Sequence, residues 1–432
     1  MLGAGLIVAA ARSGAGKTVV TLGLQRAFAR AGIRVAGAKS GPDYLDPAFH
    51  AVATGRPSVN LDGFAFPPIT LRGMAAACAN GVELVVAEGA MGLYDGLARA
   101  DRSGSSAALS RALGWPVVLV IDAGGAAQTV AAVAHGLATF PGAPRIAGVI
   151  VNRVASPRHR AMIAAGFAAI DLPLLGMIPV DPRMALPSRH LGLIQARETA
   201  DLSARIDAMA DIVAGHCDLA AIRAAAGPTP DAPSVAATIR PPGQRIAVAQ
   251  DDAFAFFYPH LATAWRRAGA EIVNFSPLAD APPPDDCDAC WLPGGYPELH
   301  AARLAGNAHF RDGVRRFAAT RPVHGECGGY MVLGRTLTDG DGTVHAMADL
   351  LPVETSFAVR KLHLGYRQAR WRSDTGFAPA GASSYGHEYH HATISGGAPA
   401  DLAEMTDGTG AALPPAGHRA GRVTGTFFHV IA

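Results

Sequence analysis

Cysteine is scarce, with five in 432 residues, at positions 78, 217, 287, 290 and 327. That is too few and too scattered for a disulfide framework, and it fits a reducing cytoplasm. An excess of charge of one sign is missing as well. Lys and Arg number 37 against 35 Asp and Glu, a formal net charge of +2, so there is no basic field for nucleic acid and no basic block for a membrane surface. No run of about 18 uncharged apolar residues occurs, and no bilayer span is expected. The opening "MLGAGLIVAAA" has the hydrophobicity of a signal-peptide core but no basic region before it, and it runs directly into "RSGAGKT". It is expected to be a buried strand. What remains is 50% hydrophobic and only 17% charged, which excludes a disordered or fibrous chain. The ligand is expected to be small, and the length predicts two domains or at most three.

Apolar runs that suit fully covered strands alternate with Ala/Leu-rich helical stretches: "GLIVAAA", "RVAGAKS", "LVVAEGA", "PVVLVIDA", "IAGVIVN" and "LPLLGMIP". This alternation predicts a parallel sheet with helices on both faces. Around residues 223–243 proline, alanine and small polar residues replace the pattern, as in an interdomain linker. A second alternation starts at "RIAVAQDDAF". The expected organisation is therefore 1–222, a linker over 223–243, and a second α/β domain over 244–432.

"AARSGAGKT", residues 10–18, lies between a predicted strand and a predicted helix, the context a phosphate-binding loop requires. The backbone of Ser13, Gly14, Ala15 and Gly16 would wrap phosphates at the helix N-terminus. Lys17 would add a point charge at the transferring phosphate, and the Thr18 hydroxyl would serve Mg²⁺. One departure stands out: the first glycine of G-x-x-x-x-G-K-[ST] is replaced by Ala11. Two further strands end in carboxylates, "ELVVAEGAMGLYDG" in Glu88 and "KSGPDYLDPAFH" in Asp43 and Asp46. Carboxylates there face the crevice where open parallel sheets bind ligands, so Glu88 and Asp43 join Thr18 as expected metal partners. For Asp46, before Pro47, a surface turn is the competing expectation.

In "HGECGGYMVLG", residues 324–334, glycines flank Cys327 between a predicted strand and a predicted helix. This pattern predicts a nucleophile elbow, in which the helix dipole and a histidine lower the thiol pKa. His429, in "GTFFHVIA", is the expected partner. "CWLPGGYPE" ends a strand in Gly294 and Gly295, whose amides, with that of Gly328, would form an oxyanion hole.

These features resemble class I glutamine amidotransferases, in which a Cys elbow and a late His release ammonia from glutamine. "SGPDYLDPAFH", "EGAMGLYDG", "PSRHLGL", "LPGGYPE", "GECGGYM", "LGYR" and "GHEYHH", in this order, further resemble the cobyrinic acid a,c-diamide synthase family over essentially the whole chain. The resemblance implies a dethiobiotin-synthetase-like P-loop domain followed by an amidotransferase domain. It also implies ATP and Mg²⁺ as cofactors, glutamine as nitrogen donor, and a corrin polycarboxylate as acceptor, amidated on its a and c acetates. It places Tyr44, Leu45, Asp46 and Asp95, beside Asp43, around the substrate and phosphates, and Asn152 at the nucleotide base. Ile431 stands where the amidotransferase triad has a Glu, so a Cys327/His429 dyad is expected.

The other readings lie close by or far away. Cobyric acid synthase and a nickel-tetrapyrrole diamide synthase share the machinery, and a homodimer is compatible with all of these. "HEYHH", residues 387–391, matches H-E-x-x-H of zinc proteases, but that site needs a helix and the local propensity predicts a strand or loop. A non-catalytic nucleotide switch would lack the nucleophile that is present at position 327.

Overall fold

The computed structural model describes residues 2–99, 101–189, 192–233 and 239–432. His190 and Leu191 of "PSRHLGL" and residues 234–238 of the expected linker lie outside the described residues. Two compact units divide between residues 235 and 236.

In the first unit seven strands alternate with helices: β1 Ala4–Ala10, α1 Lys17–Arg30, β2 Val35–Ser40, α2 Leu45–Thr54, β3 Val59–Leu61, α3 Pro68–Ala79, β4 Leu84–Glu88, α4 Ser106–Leu113, β5 Val117–Asp122, α5 Thr129–Thr139, β6 Ile146–Val154, α6 Pro157–Phe167 and β7 Leu174–Pro179. The sheet order is β3-β2-β4-β1-β5-β6-β7, and its pairings are parallel. Central strands are apolar throughout because helices cover both faces: Leu6, Ile7 and Val8 of β1 and Val117 to Val120 of β5 are fully buried. Side-chain caps start α4, where Ser105 accepts from the Ala108 N–H, and α6, where Ser156 accepts from the His159 N–H. β4 pairs with β1 on one edge and β2 on the other, which brings Val8, Lys39 and Glu88 level with one another. The P-loop and both acidic loops therefore leave the same end of the sheet.

Packing of this unit continues past residue 222. Gly227 bridges to Gly5, and the Thr229 hydroxyl donates to Gly3 O at 2.6 Å while accepting from the Trp115 indole at 3.1 Å. From the other side Trp265 donates to Ile239 O at 3.2 Å, and Arg240 forks onto Asp374 with two bonds of 2.9 Å. The Pro/Ala-rich stretch is thus held at both ends by hydrogen bonds that its weak periodicity did not announce.

The second unit has a six-stranded sheet in the order Glu271–Phe275, Arg245–Ala249, Ala289–Leu292, Val323–Glu326, Val423–Thr426, His418–Ala420. The first five run parallel and the last antiparallel. An antiparallel sheet follows, in the order Ala412–Ala416, Ala403–Asp407, His363–Trp371, Ser383–His390, His429–Val430. The chain's last strands thereby belong to different sheets, Val423–Thr426 to the first and His429–Val430 to the second. "HEYHH" begins within the strand Ser383–His390, so the helix a zinc protease site needs is not formed. Among the described residues no helix is long and apolar enough to cross a membrane.

Candidate active sites of the two units

The loop between β1 and α1 places its left-handed positions at Gly14 (φ 77°) and Gly16 (φ 93°). Ala11 is not among the positive-φ residues, which explains why the missing first glycine is tolerated: its Cβ meets no left-handed backbone. Gly16 caps α1, and a Cβ built on it would lie 2.2 Å from Asn152 Nδ2. That amide donates to Ala15 O at 3.0 Å, and Asn152 Oδ1 accepts from the Arg153 N–H at 2.9 Å. Asn152, on β6, thus braces the loop from behind, with both of its polar groups engaged by protein.

Lys17 Nζ donates to Met91 O at 2.6 Å, drawing the β4 loop alongside the P-loop. Burial and the neighbouring Lys39 pull its pKa down from the usual lysine range. The Thr18 hydroxyl donates to Glu88 Oε1 at 2.6 Å. Glu88, 1% exposed, is a hub: Lys39 Nζ lies 3.0 Å from the same oxygen, and His50 Nε2 lies 2.9 Å from Oε2. Lys39 also contacts Asp46 Oδ2 at 2.5 Å. Burial opposes the charge on Lys39, but Asp46 and Glu88 outweigh it and hold the ammonium above its usual range. Burial likewise opposes the charge on Glu88, yet Lys39 and the bonds from His50 and Thr18 hold the carboxyl below the usual range. Asp46 moves the other way, pushed up by burial and by the Asp43 and Glu88 carboxylates.

Asp46 is therefore a buried member of the site and not a surface turn. Asp43 is exposed, and its Oδ1 accepts from the Leu45 and Asp46 N–H groups at 2.7 and 3.0 Å, which starts α2. Tyr44 and Leu45 follow at that helix start. Asp95, also exposed, accepts from the Gly92 N–H at 2.8 Å. Two residues here were not anticipated, Lys39 and His50. A signal for Lys39 existed: lysine occurs only at positions 17, 39 and 361, so a lysine closing a strand beside a P-loop is conspicuous in a chain that otherwise uses arginine.

Among the described residues no three His, Cys, Asp or Glu side chains are placed to hold a metal by themselves. Mg²⁺ fits the donor set differently. It binds through one or two oxygen ligands, water and substrate phosphates, and here a hydroxyl and a carboxylate meet, Thr18 Oγ1 against Glu88 Oε1, beside the carboxyl of Asp46.

In the second unit Cys327 sits between the strand Val323–Glu326 and the helix Gly328–Leu333 with φ 46° and ψ −100°. A non-glycine residue in that region is strained and held by its surroundings. Its N–H donates to Thr426 O at 2.8 Å, which ties the elbow to the strand leading to His429. A Cβ built on Gly294 would lie 3.3 Å from Cys327 Cβ, 3.3 Å from His429 Nε2 and 2.4 Å from His429 Cε1. Only glycine leaves room there, between the Cys327 Cβ and the edge of the His429 imidazole. A Cβ on Gly328 would lie 3.0 Å from the Gly295 nitrogen, so the amide-bearing backbones of the two glycines converge at the elbow.

The electrostatics differ from the expected activated thiolate. Cys327 is 3% exposed; burial, then Glu298, drives its pKa up, and the Gly328 N–H offsets this only in part. Burial also pushes His429 well down, helped by His387 and His390. The reason is that a six-residue helix and uncharged imidazoles supply little positive potential to a dry pocket. Burial therefore favours the uncharged forms of the thiol and the imidazole, so that proton transfer would accompany attack.

Comparison with known proteins follows the same division. Residues 6–194 match the CobQ/CobB/MinD/ParA nucleotide binding domain, and residues 245–432 match the CobB/CobQ-like glutamine amidotransferase domain. The chain is 52% identical over 430 residues to the hydrogenobyrinate a,c-diamide synthase of Mesorhizobium japonicum, covering 99% of this chain and 98% of that one. It is 53% identical to the protein of that name from Rhodobacter capsulatus and 51% identical to that from Agrobacterium fabrum, each again at 99% and 98% coverage.

Proposed function

The chain belongs to the hydrogenobyrinate a,c-diamide synthase family of ATP- and glutamine-dependent amide ligases, and from that premise we propose how its residues divide the reaction. The acceptor is a corrin polycarboxylate, metal-free hydrogenobyrinate by the names of the relatives, amidated on its a and c acetates in the cytoplasm. In the first unit the P-loop amides of residues 13–16 and the Lys17 ammonium hold ATP, and Asn152 keeps the loop in place. Thr18 and Glu88, with Asp43 at the pocket mouth, would hold Mg²⁺, which neutralises phosphate charge when bound. A corrin carboxylate oxygen attacks the γ-phosphorus, ADP leaves, and an acyl phosphate forms. Tyr44, Leu45 and Asp46, at the start of α2, and Asp95, in the loop after β4, border this site and position the acceptor.

In the second unit Cys327 Sγ attacks the glutamine side-chain carbonyl while His429 takes the thiol proton. The Gly295 and Gly328 N–H groups, in the turn that Gly294 opens, receive the oxyanion. His429 returns the proton to the departing ammonia, and water hydrolyses the thioester to glutamate. Ammonia then attacks the acyl phosphate and phosphate leaves. The observation that carries this reading is the convergence of Cys327 and His429 on the space beside Gly294. It is tested by incubating the protein with ATP, Mg²⁺, glutamine and either hydrogenobyrinate or cobyrinate and following product mass. Two successive carboxyl-to-amide mass changes are expected, faster with hydrogenobyrinate. A single change, or preference for cobyrinate, would reassign the acceptor.

A further inference from the structure

We propose that Glu326, the residue before the nucleophile, is a positioning acid that orients the His429 imidazole, the task for which Ile431 has no functional group. The inference rests on the assignment of Cys327 and His429 as nucleophile and base. Glu326 is 1% exposed, and its Oε2 lies 3.9 Å from His429 Nδ1. Its Oε1 accepts from the Val430 N–H at 2.8 Å, so the carboxylate is fastened to the strand that carries the imidazole. The other ring nitrogen, Nε2, is on the side of Gly294 and Cys327. One nitrogen faces an acid and the other lies on the side of the cysteine, the arrangement in which an ionised acid selects the tautomer able to receive the nucleophile's proton. His387 stacks on the ring with centroids 5.2 Å apart and planes 27° apart, which restricts its tumbling. The 3.9 Å separation is an ion-pair distance longer than a hydrogen bond, and such contacts tighten when substrate binds.

Burial pushes the Glu326 carboxyl up to about 8, with the Val430 N–H offsetting part of the rise. Only the ionised carboxylate accepts from the Nδ1–H of His429 and leaves Nε2 to take the thiol proton, so the positioning role is filled as pH rises through that value. Sequence spacing hides this role, because the usual acid follows the histidine while this one precedes the cysteine by one residue and is separated from His429 by about a hundred positions. Parallel pairing of Glu326 with Thr426 brings the two segments together.

The test uses the full chain and E326Q, which keeps an acceptor for the Val430 N–H and nearly the same volume. Expected are a fall in glutaminase kcat of about 10- to 100-fold with KM altered less than about threefold, and slower alkylation of Cys327 by iodoacetamide. Amidation driven by an ammonium salt should be unchanged. A residue that merely holds the strand would not alter alkylation in a variant that keeps the bond to Val430. E326D, which retains the charge, should recover more kcat than E326Q. Wild-type kcat and alkylation rate in E326Q, or E326Q at or above E326D, would overturn the proposal. Glutaminase activity surviving in C327S would instead overturn the assignment on which it rests.

Discussion

Cys327→Ala is expected to lower glutamine-driven amidation by at least about 10³-fold while amidation from an ammonium salt stays within about twofold of wild type. The asymmetry follows from the separation of tasks. Without a thiol no glutamyl thioester forms, so glutamine releases no ammonia, but nothing in the first unit depends on that sulfur. The substitution is also structurally mild. Cys327 is a small buried side chain, and the elbow is held by backbone bonds, Cys327 N–H to Thr426 O and Gly329 N–H to Pro293 O, which alanine retains. Steady-state rates with each nitrogen source check the expectation. Equal loss with both sources would mean that the cysteine supports the fold or the ligase reaction, and not glutamine hydrolysis.

Lys17→Ala is expected to have the complementary signature, a loss of about 10²–10³-fold with either nitrogen source, as for removal of one preorganised donor to developing charge, while glutamine hydrolysis in the second unit continues. Lys17 starts α1 and is buried, and its Nζ already holds Met91 O. Its removal therefore takes away both the charge and the contact that brings the β4 loop to the P-loop. Protein stability should change little, because burial lowers the Lys17 pKa and the buried ion pairs of the pocket run through Lys39. Glu88→Gln makes the contrast: Lys39 would keep Asp46 but lose its second carboxylate, and a broken buried pair costs about 3–5 kcal/mol. Loss of ligase activity in Lys17→Ala at a nearly unchanged melting temperature, measured beside Glu88→Gln, separates chemistry from architecture.

Most of the first unit's sheet was legible from its apolar runs, because a strand covered on both faces has no choice but to be apolar. β3, three residues long, carries too little pattern to be recognised. The second unit was legible through its parallel strands and the glycines around Cys327. Its antiparallel sheet was not, since His363–Trp371 is mostly half-buried along one stretch and gives no clean alternation. The sites divide in the same way. Lys17, Thr18 and Cys327 take their proposed roles from local spacing. Lys39, His50 and Glu326 acquire theirs from partners 49, 38 and 103 residues away, Glu88 for the first two and His429 for the third, and only strand order brings those partners together. The thiol shows the limit of a motif: the elbow geometry was predictable, but the dry surroundings that raise its pKa come from packing that no local spacing encodes.

The most direct test of the two-site account is the origin of the product nitrogen. Hydrogenobyrinate, ATP and Mg²⁺ are incubated with glutamine labelled with ¹⁵N in the side-chain amide, in the presence of unlabelled ammonium, and the product is analysed by mass. The account predicts a diamide carrying ¹⁵N in both new amides with the wild-type chain, and in neither with Cys327→Ala. Wild-type amides as free of ¹⁵N as those of Cys327→Ala would contradict it, because glutamine hydrolysis and amide formation would then not belong to one reaction.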